Sequence, residues 1–339
     1  MGKIIRGINA CLMVLILFVM NCGNPIRKKV DMYIRQENWT KVREILEQEN
    51  RIQKNNGEIL LLLGETYGEL DEYEKLGSVL KEKTLKDHPY NKKGEFLREK
   101  YWRRNFNRGL ESFNEKSFRT AVRNLENAVV IDPDRPEPHR LLGEIYVKLE
   151  SYDKARQAYQ THLELDEKDW FSCNNVAELF FHSHNYEEAI RYSTMALERN
   201  PQYQPAQIRI AHCEVRLNRV DEALAAFEQA KTMGEPLNLL ETYGKFCLKN
   251  MKYELAKVQF TRALALSNAN VQFNKYLAES CYGLGDFHGV AAHYKVYLSR
   301  NPDDLDALKI LLIAYDRMGD RENFEQIKNK INEMKSTLE

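Results

Sequence analysis

Between Pro136 and Asp169 the apolar residues fall into two helical stripes. Leu142, Gly143 and Tyr146 share a face of a first helix, and Tyr152, Ala155, Tyr159 and Leu163 recur at three- and four-residue intervals on a second. The small residues let two helices approach closely, and the aromatics fill the space beside them. A pair of helices this short cannot bury its own apolar faces, so it must stack on copies of itself.

The copies lie on both sides, in units of 34 residues. Unit 102–135 has Gly109, Phe118, Ala121, Leu125 and Ala128, and unit 170–203 has Val176, Ala177, Phe180, Tyr186, Ala189 and Ala196. Unit 204–236 is one residue short but keeps Ala211, Ala223, Phe227 and Ala230; unit 237–270 has Tyr243, Gly244, Tyr253, Ala256 and Phe260. In unit 271–304 Val290 replaces an alanine, and unit 305–338 keeps Leu311, Tyr315 and Gly319 but departs from the pattern afterwards, as a solvated end cap requires. Upstream, 57–90 carries Leu60, Gly64, Tyr67 and Tyr73, whereas 23–56 shows only its second half, in Trp39, Val42 and Leu46. An 11-residue insertion, Asn91 to Tyr101, breaks the register before unit 102–135. All nine prolines fall near unit junctions, where a missing N–H donor is tolerated.

This alternation of Leu-Gly/Ala, Tyr, Tyr/Phe, Ala and a closing Pro resembles the tetratricopeptide repeat. The resemblance implies an all-α fold, a solenoid of helical hairpins wound into a right-handed superhelix. It divides the chain into a signal segment (1–21), degenerate first repeats with the basic insertion (22–101), the main array (102–304) and a capping repeat (305–339). It also implies a concave face lined by the first helices, where the family holds its ligands.

Composition adds exclusions. Lys plus Arg and Asp plus Glu number 50 each, so the chain has no net charge with which to seek nucleic acid, and none is expected as a partner. Gly-rich phosphate loops, G-x-S-x-G, H-E-x-x-H and Cys-x-x-Cys are absent, so no enzyme and no cofactor is expected.

The first residues form a separate object. Lys3 and Arg6 precede an apolar run from Ala10 to Met20 that ends at Asn21-Cys22-Gly23, too short for a spanning helix of about 20 residues. It resembles a bacterial lipoprotein signal with Cys22 as the acylated residue, although Asn21 departs from the small residue that pattern prefers. An uncleaved N-terminal anchor is the other reading. The lipoprotein reading implies a lipid-anchored (palmitate-bearing) chain in the bacterial cell envelope, on its periplasmic or outer-membrane face. Of the remaining cysteines, Cys173, Cys213, Cys247 and Cys281 fall at core positions of first helices. Packed helices sit roughly 8–10 Å apart, beyond disulfide reach, so buried free thiols are expected.

On the implied concave face the candidate partner-binding residues are Phe106, Phe113, Arg140, Glu144, Phe171, Asn174, Glu178, Phe181, His182, His212, Arg216, Lys245, Lys275 and Tyr282. A carboxylate beside each clamp position (Glu144 by Arg140, Glu178 by Asn174) would repel an acidic C-terminus, which disfavours that ligand. Glu178, His182 and His212, with His184 nearby, offer metal-ligand types, but the spacing recurs nowhere and no metal is expected. From Lys92 to Arg108 seven basic residues face Glu95 and Glu99, with Phe96, Tyr101, Trp102 and Phe106 interleaved. That stretch reads either as a lipid-facing basic helix or, favoured by the helical spacing of its aromatics, as a lengthened first helix sealing a joint. The expected function is a protein-interaction scaffold, holding a peptide or partner protein and assisting envelope assembly. A ligand-binding accessory of a solute transporter, with a pocket lined by Phe106, Phe113, Phe171 and Phe181, is the alternative.

Overall fold

A computed structural model describes residues 25–336, so Cys22 and the apolar run before it lie outside the described residues. Every regular element among these residues is a helix, 19 in number. They pair into hairpins and gather into two compact units, one ending at Glu167 and one beginning at Lys168.

The first unit holds four hairpins. They are α1 (Pro25–Arg35) with α2 (Trp39–Ile52), α3 (Gly57–Glu69) with α4 (Tyr73–Lys81), α6 (Asn91–Asn114) with α7 (Phe118–Ile131), and α8 (Pro136–Lys148) with α9 (Tyr152–Leu165). A four-residue α5 (Lys83–Lys86) lies between α4 and α6. The second unit has five: α10 (Trp170–His182) with α11 (Tyr186–Arg199), α12 (Gln204–Arg216) with α13 (Val220–Thr232), and α14 (Leu237–Lys249) with α15 (Tyr253–Leu266). It continues with α16 (Gln272–Leu284) and α17 (Phe287–Leu298), then α18 (Leu305–Met318) and α19 (Arg321–Ser336).

Each hairpin turns on one residue in the left-handed region: Glu37, Asp71, Lys116, Glu150, His184, Asn218, Met251, Gly285 and Gly319. The N–H of the residue after it returns to a carbonyl five positions back, as Ser151 does to Tyr146 and Asp320 to Tyr315, at 2.8 and 3.0 Å. That 6→1 bond closes the first helix in a Schellman motif and re-aims the chain for the second. These turns measure the repeat independently of side-chain pattern. Successive spacings are 34 residues except for 45 before Lys116, eleven more than the repeat, and 33 before Met251. The insertion and the shortened unit therefore both have structural counterparts. Only two of the nine turn residues are glycine, which is why composition gave no sign of them.

Small-against-large packing joins the two helices of a pair. A Cβ added at Gly143 would stand 2.7 Å from the Tyr159 ring, and one at Gly244 would stand 2.7 Å from Phe260. Tyr159 and Phe260 are almost wholly buried, as are Ala121, Ala155, Ala189, Ala223 and Ala256 on the second helices. Val290 is also buried completely, so the array accommodates the larger residue there. The first repeat is a full hairpin. Its first helix buries just Ile26 and Val30 and carries Arg27, Lys28 and Lys29, too thin a stripe for the pattern to disclose. All four described cysteines are free and buried, and burial pushes the Cys213 and Cys247 thiols up to about 12.

The insertion is not a loop. It extends α6 to 24 residues, where the other first helices of its kind run to 11–14. Tyr101 and Trp102 are buried, Phe106 stacks on Trp102 with centroids 4.8 Å apart, and the Arg135 guanidinium covers the same indole at 4.1 Å. Tyr101 donates to Glu69 at 2.8 Å, and Glu69 also receives Lys100 at 2.9 Å and both terminal nitrogens of Arg104 at 3.2 Å. Burial would raise the Glu69 carboxyl, but the Lys100 hydrogen bond and the neighbouring positive charge hold it below the usual range. From Arg98 to Arg108 the basic residues are thus spent on internal pairs, with Arg98 on Glu95, Arg103 on Glu99 and Arg108 on Asp71. This half of the basic stretch is the sealed joint.

Candidate functional site

The face carrying the expected partner-binding residues is built by first helices, and each unit presents its own. In the first unit Phe113 is half-buried against Phe118 at 6.2 Å, and Phe106 belongs to the core around Trp102. Arg140 and Glu144, one turn apart on α8, pair at 3.0 Å. The polar part of that face is internally neutralised.

In the second unit α12 leans on α10 through Arg209, a residue the sequence reading passed over. Its Nη1 donates to Asn174 Oδ1 at 2.6 Å and its Nη2 to Glu178 Oε2 at 3.4 Å, and its side chain is only 13 % exposed. Burial draws the guanidinium's pKa down while Glu178 opposes that shift, and the group stays charged. Asn174 is buried and already occupied, so it presents no free amide to a ligand. No local signal marks Arg209, because its partners lie 31 and 35 residues upstream.

Glu178 is exposed and 3.8 Å from His182, which projects into solvent. His212 is half-buried, 6.4 Å from the Phe181 ring and 6.2 Å from Phe227. Burial, then Arg216 and Arg209, lower its pKa and keep the ring neutral, and its Nε2 is buried without a hydrogen-bond partner. His184 is held elsewhere, with Nδ1 2.8 Å from Tyr186 Oη. Among the described residues no three His, Cys, Asp or Glu side chains converge to hold a metal ion. Phe181 packs edge-on to Tyr186 at 5.7 Å, and Phe171 packs against Trp170 at 6.0 Å.

Further along, Lys245 pairs with Glu241 at 2.5 Å and lies 5.1 Å over Tyr276 of the next first helix. The Glu241 hydrogen bond raises the Lys245 pKa. Lys275 pairs at 2.8 Å with Asp304, the N-cap of α18, which also accepts from Tyr297 at 2.9 Å. Burial alone would raise Asp304, but the Lys275 hydrogen bond, the Ala307 N–H and Tyr297 bring it to about 2. Tyr282 is exposed, with its ring 6.5 Å from Phe287. These ties fix α12 to α10, α14 to α16 and α16 to the N-cap of α18, and leave solvent-facing groups above them.

Along the last turns of α10, α12, α14 and α18 those groups are His182, Arg216, Lys249 and Arg317, all exposed. Arg216 and Lys249 have no ion-pair partner among the described residues. The C-terminal end of a helix dipole favours cations there.

A family model described as tetratricopeptide repeat matches residues 113–171 and 180–232. Those two stretches carry tetratricopeptide repeats. The matched stretches contain three of the left-handed turns described above, at Lys116, Glu150 and His184, and a fourth at Asn218. With the nine hairpins this makes the fold an all-α tetratricopeptide solenoid. Among curated proteins the chain is 25 % identical over 142 residues to a DnaJ homolog subfamily C member 7 homolog of Dictyostelium discoideum. It is 27 % identical over 201 residues to tetratricopeptide repeat protein 21A of Mus musculus. Those alignments cover 37 % and 58 % of this chain, and the chain spans about a quarter and a seventh of the relatives' own lengths, 26 % and 14 %. Among solved structures it is similar to YrrB, a tetratricopeptide repeat protein with an unusual peptide-binding site (20 % identity, 53 % of this chain and 93 % of that one, TM-score 0.47). It is also similar to MamA of Desulfovibrio magneticus RS-1 (15 % identity, 50 % and 96 %, TM-score 0.46).

Proposed function

We propose that this chain is a protein-interaction scaffold of a bacterial cell envelope. A lipid on Cys22 tethers it there, and the first-helix face of the second unit takes a peptide or partner protein. The observation that carries the reading is the row of exposed, unpaired cations, Arg216 and Lys249, above first helices already locked by Arg209, Lys245 and Lys275. Rigid neighbours with free polar groups bind at little ordering cost, since the side chains beneath them are fixed before the partner arrives. Repeat families of this kind supply surfaces and not reactions, so function rests on what that surface takes. The reading as a transporter accessory with a hydrophobic pocket draws no support from its four phenylalanines, each half-buried against neighbours within its own unit.

Photo-crosslinking residues placed at Arg216 and Lys249, with exposed Thr261 as the control, test the scaffold in native envelopes. A protein partner captured from the first two positions and absent from the third is the expected result. Equal capture from all three would refute the assignment of the face. Replacing Cys22 with Ala should move the chain from the membrane to the soluble fraction, and a chain that stays put would refute the lipid tether.

A further inference from the structure

The carboxylates on the first helices of the second unit are paired within the protein, with one exception. Glu178, Glu214, Glu241, Asp306 and Asp316 pair with Arg209, Arg219, Lys245, Lys309 and Arg321. Glu279 of α16 is the remaining one, half-buried, with no ion pair or hydrogen bond among the described residues. Lys275, one turn earlier on the same helix, bonds Asp304 at 2.8 Å instead. Burial raises the Glu279 carboxyl, Lys275 opposes that shift, and Asp304 adds to it. A second polar group nearby is also left open. Tyr294 of α17 is wholly buried, its hydroxyl has no hydrogen-bond partner, and after burial the Glu279 charge does most to raise its pKa.

We propose that Glu279 receives a basic side chain, lysine or arginine, of the protein or peptide bound on this face. The inference rests on the reading of the face as the partner's, and gives that partner a charge requirement. A half-buried carboxylate without a counter-charge costs the free chain stability, and an arriving cation recovers it. The surroundings suit a long side chain. Tyr282, three residues on, shares the side of α16 that carries Glu279, and Ile313 takes the place of Glu279 one repeat later on α18. Both are 41 % exposed, so an aliphatic stem finds apolar support while its charged head reaches the carboxylate. A bare metal ion would make no use of them, and no other acidic or histidine ligands converge there among the described residues. Arg216 and Lys249, unpaired on α12 and α14, ask for acidic groups. A uniformly acidic partner would satisfy them and be repelled at Glu279, so the bound segment carries both signs, acid at α12 and α14 and base at α16.

The test selects phage-displayed random twelve-residue peptides on the full chain and reads the bound pool by sequencing. Acidic residues should be enriched, with lysine and arginine enriched about tenfold or more at a fixed distance from them. Glu279→Gln should bring the basic enrichment to within twofold of the unselected pool, and Glu279→Lys should replace it with acidic residues. Arg216→Ala with Lys249→Ala should remove the acidic enrichment and keep the basic one. Thermal unfolding adds a readout that needs no ligand. Glu279→Gln removes the unpaired charge and should raise Tm by about 2–4 °C, whereas loss of a carboxylate that serves the fold would lower it. A lowered Tm, or basic enrichment that survives Glu279→Gln, would overturn the proposal. Acidic enrichment without basic enrichment would overturn the role of Glu279 and leave the partner face standing. A pool with neither would overturn both.

Discussion

Replacing Met251 with Gly should stabilise the second unit, and replacing Gly285 with Ala should destabilise it by a similar amount. Both positions occupy the left-handed turn of their hairpins, at φ 57° and 72°. For a residue with a Cβ that conformation costs roughly 1–2 kcal/mol. Glycine removes the cost but gives back about 0.4–1 kcal/mol through its larger freedom in the unfolded chain. Met251 is 72 % exposed, so little burial is lost with its side chain. The net gain is about 0.5–1 kcal/mol. At Gly285 a Cβ would meet nothing within 4 Å, so the alanine has no clash and its cost of about 1 kcal/mol comes from the backbone alone. Urea unfolding followed by circular dichroism measures both, read as a shift of midpoint at constant slope. A Gly285→Ala protein as stable as the parent, or a less stable Met251→Gly protein, would refute the claim that these turns store backbone strain.

Three further outcomes follow from packing and charge. Gly143→Ala should cost about 1–3 kcal/mol in the same assay, because its Cβ meets the buried Tyr159 ring at 2.7 Å and the two helices must part. Gln259 is fully buried with neither amide atom hydrogen-bonded, so Gln259→Leu should stabilise the protein by about 1–2 kcal/mol, again seen as a raised midpoint. Asp304 is lowered from 3.8 to about 2 in the folded chain, so its contribution is complete above pH 4 and is lost as pH falls towards 2. Asp304→Asn keeps a capping side chain but loses the charge pair with Lys275, and its acid unfolding curve should be flatter over that window.

The hairpins were legible because each buries one stripe at helical spacing and each repeat restates it. The interactions that distinguish this chain were not, for a consistent physical reason. Glu69 collects Lys100, Arg104 and Tyr101 from 31 to 35 residues away, and Arg209 reaches Asn174 and Glu178 over similar distances. Neither end of such a pair has a local signature. The basic stretch consequently looked uniform along the sequence, although from Arg98 to Arg108 it is spent on internal pairs. The left-handed turns were hidden for another reason: Glu37, Asp71, Lys116 and Glu150 are ordinary polar residues, and solvent exposure lets them occupy a conformation that glycine would advertise. Asn174 read as an open clamp residue because helical phase gives direction and says nothing of which neighbour arrives there first.

The 24-residue α6 bears on how such a chain can change its length. In a plain array each hairpin touches the next through much the same surface, so a repeat can be duplicated or lost while its neighbours re-form the junction. Here α6 meets α3 and α5 as well as its own α7, and α4 lies on α7 with Gly77 close against the Val130 carbonyl. Removing α3 and α4 would strip Tyr101 of its acceptors and bare Trp102, with no following repeat shaped to take their place. The second hairpin is therefore inherited together with α6 as one block. Gain or loss of repeats is open to the regular hairpins of the second unit and closed to the pair α3 and α4.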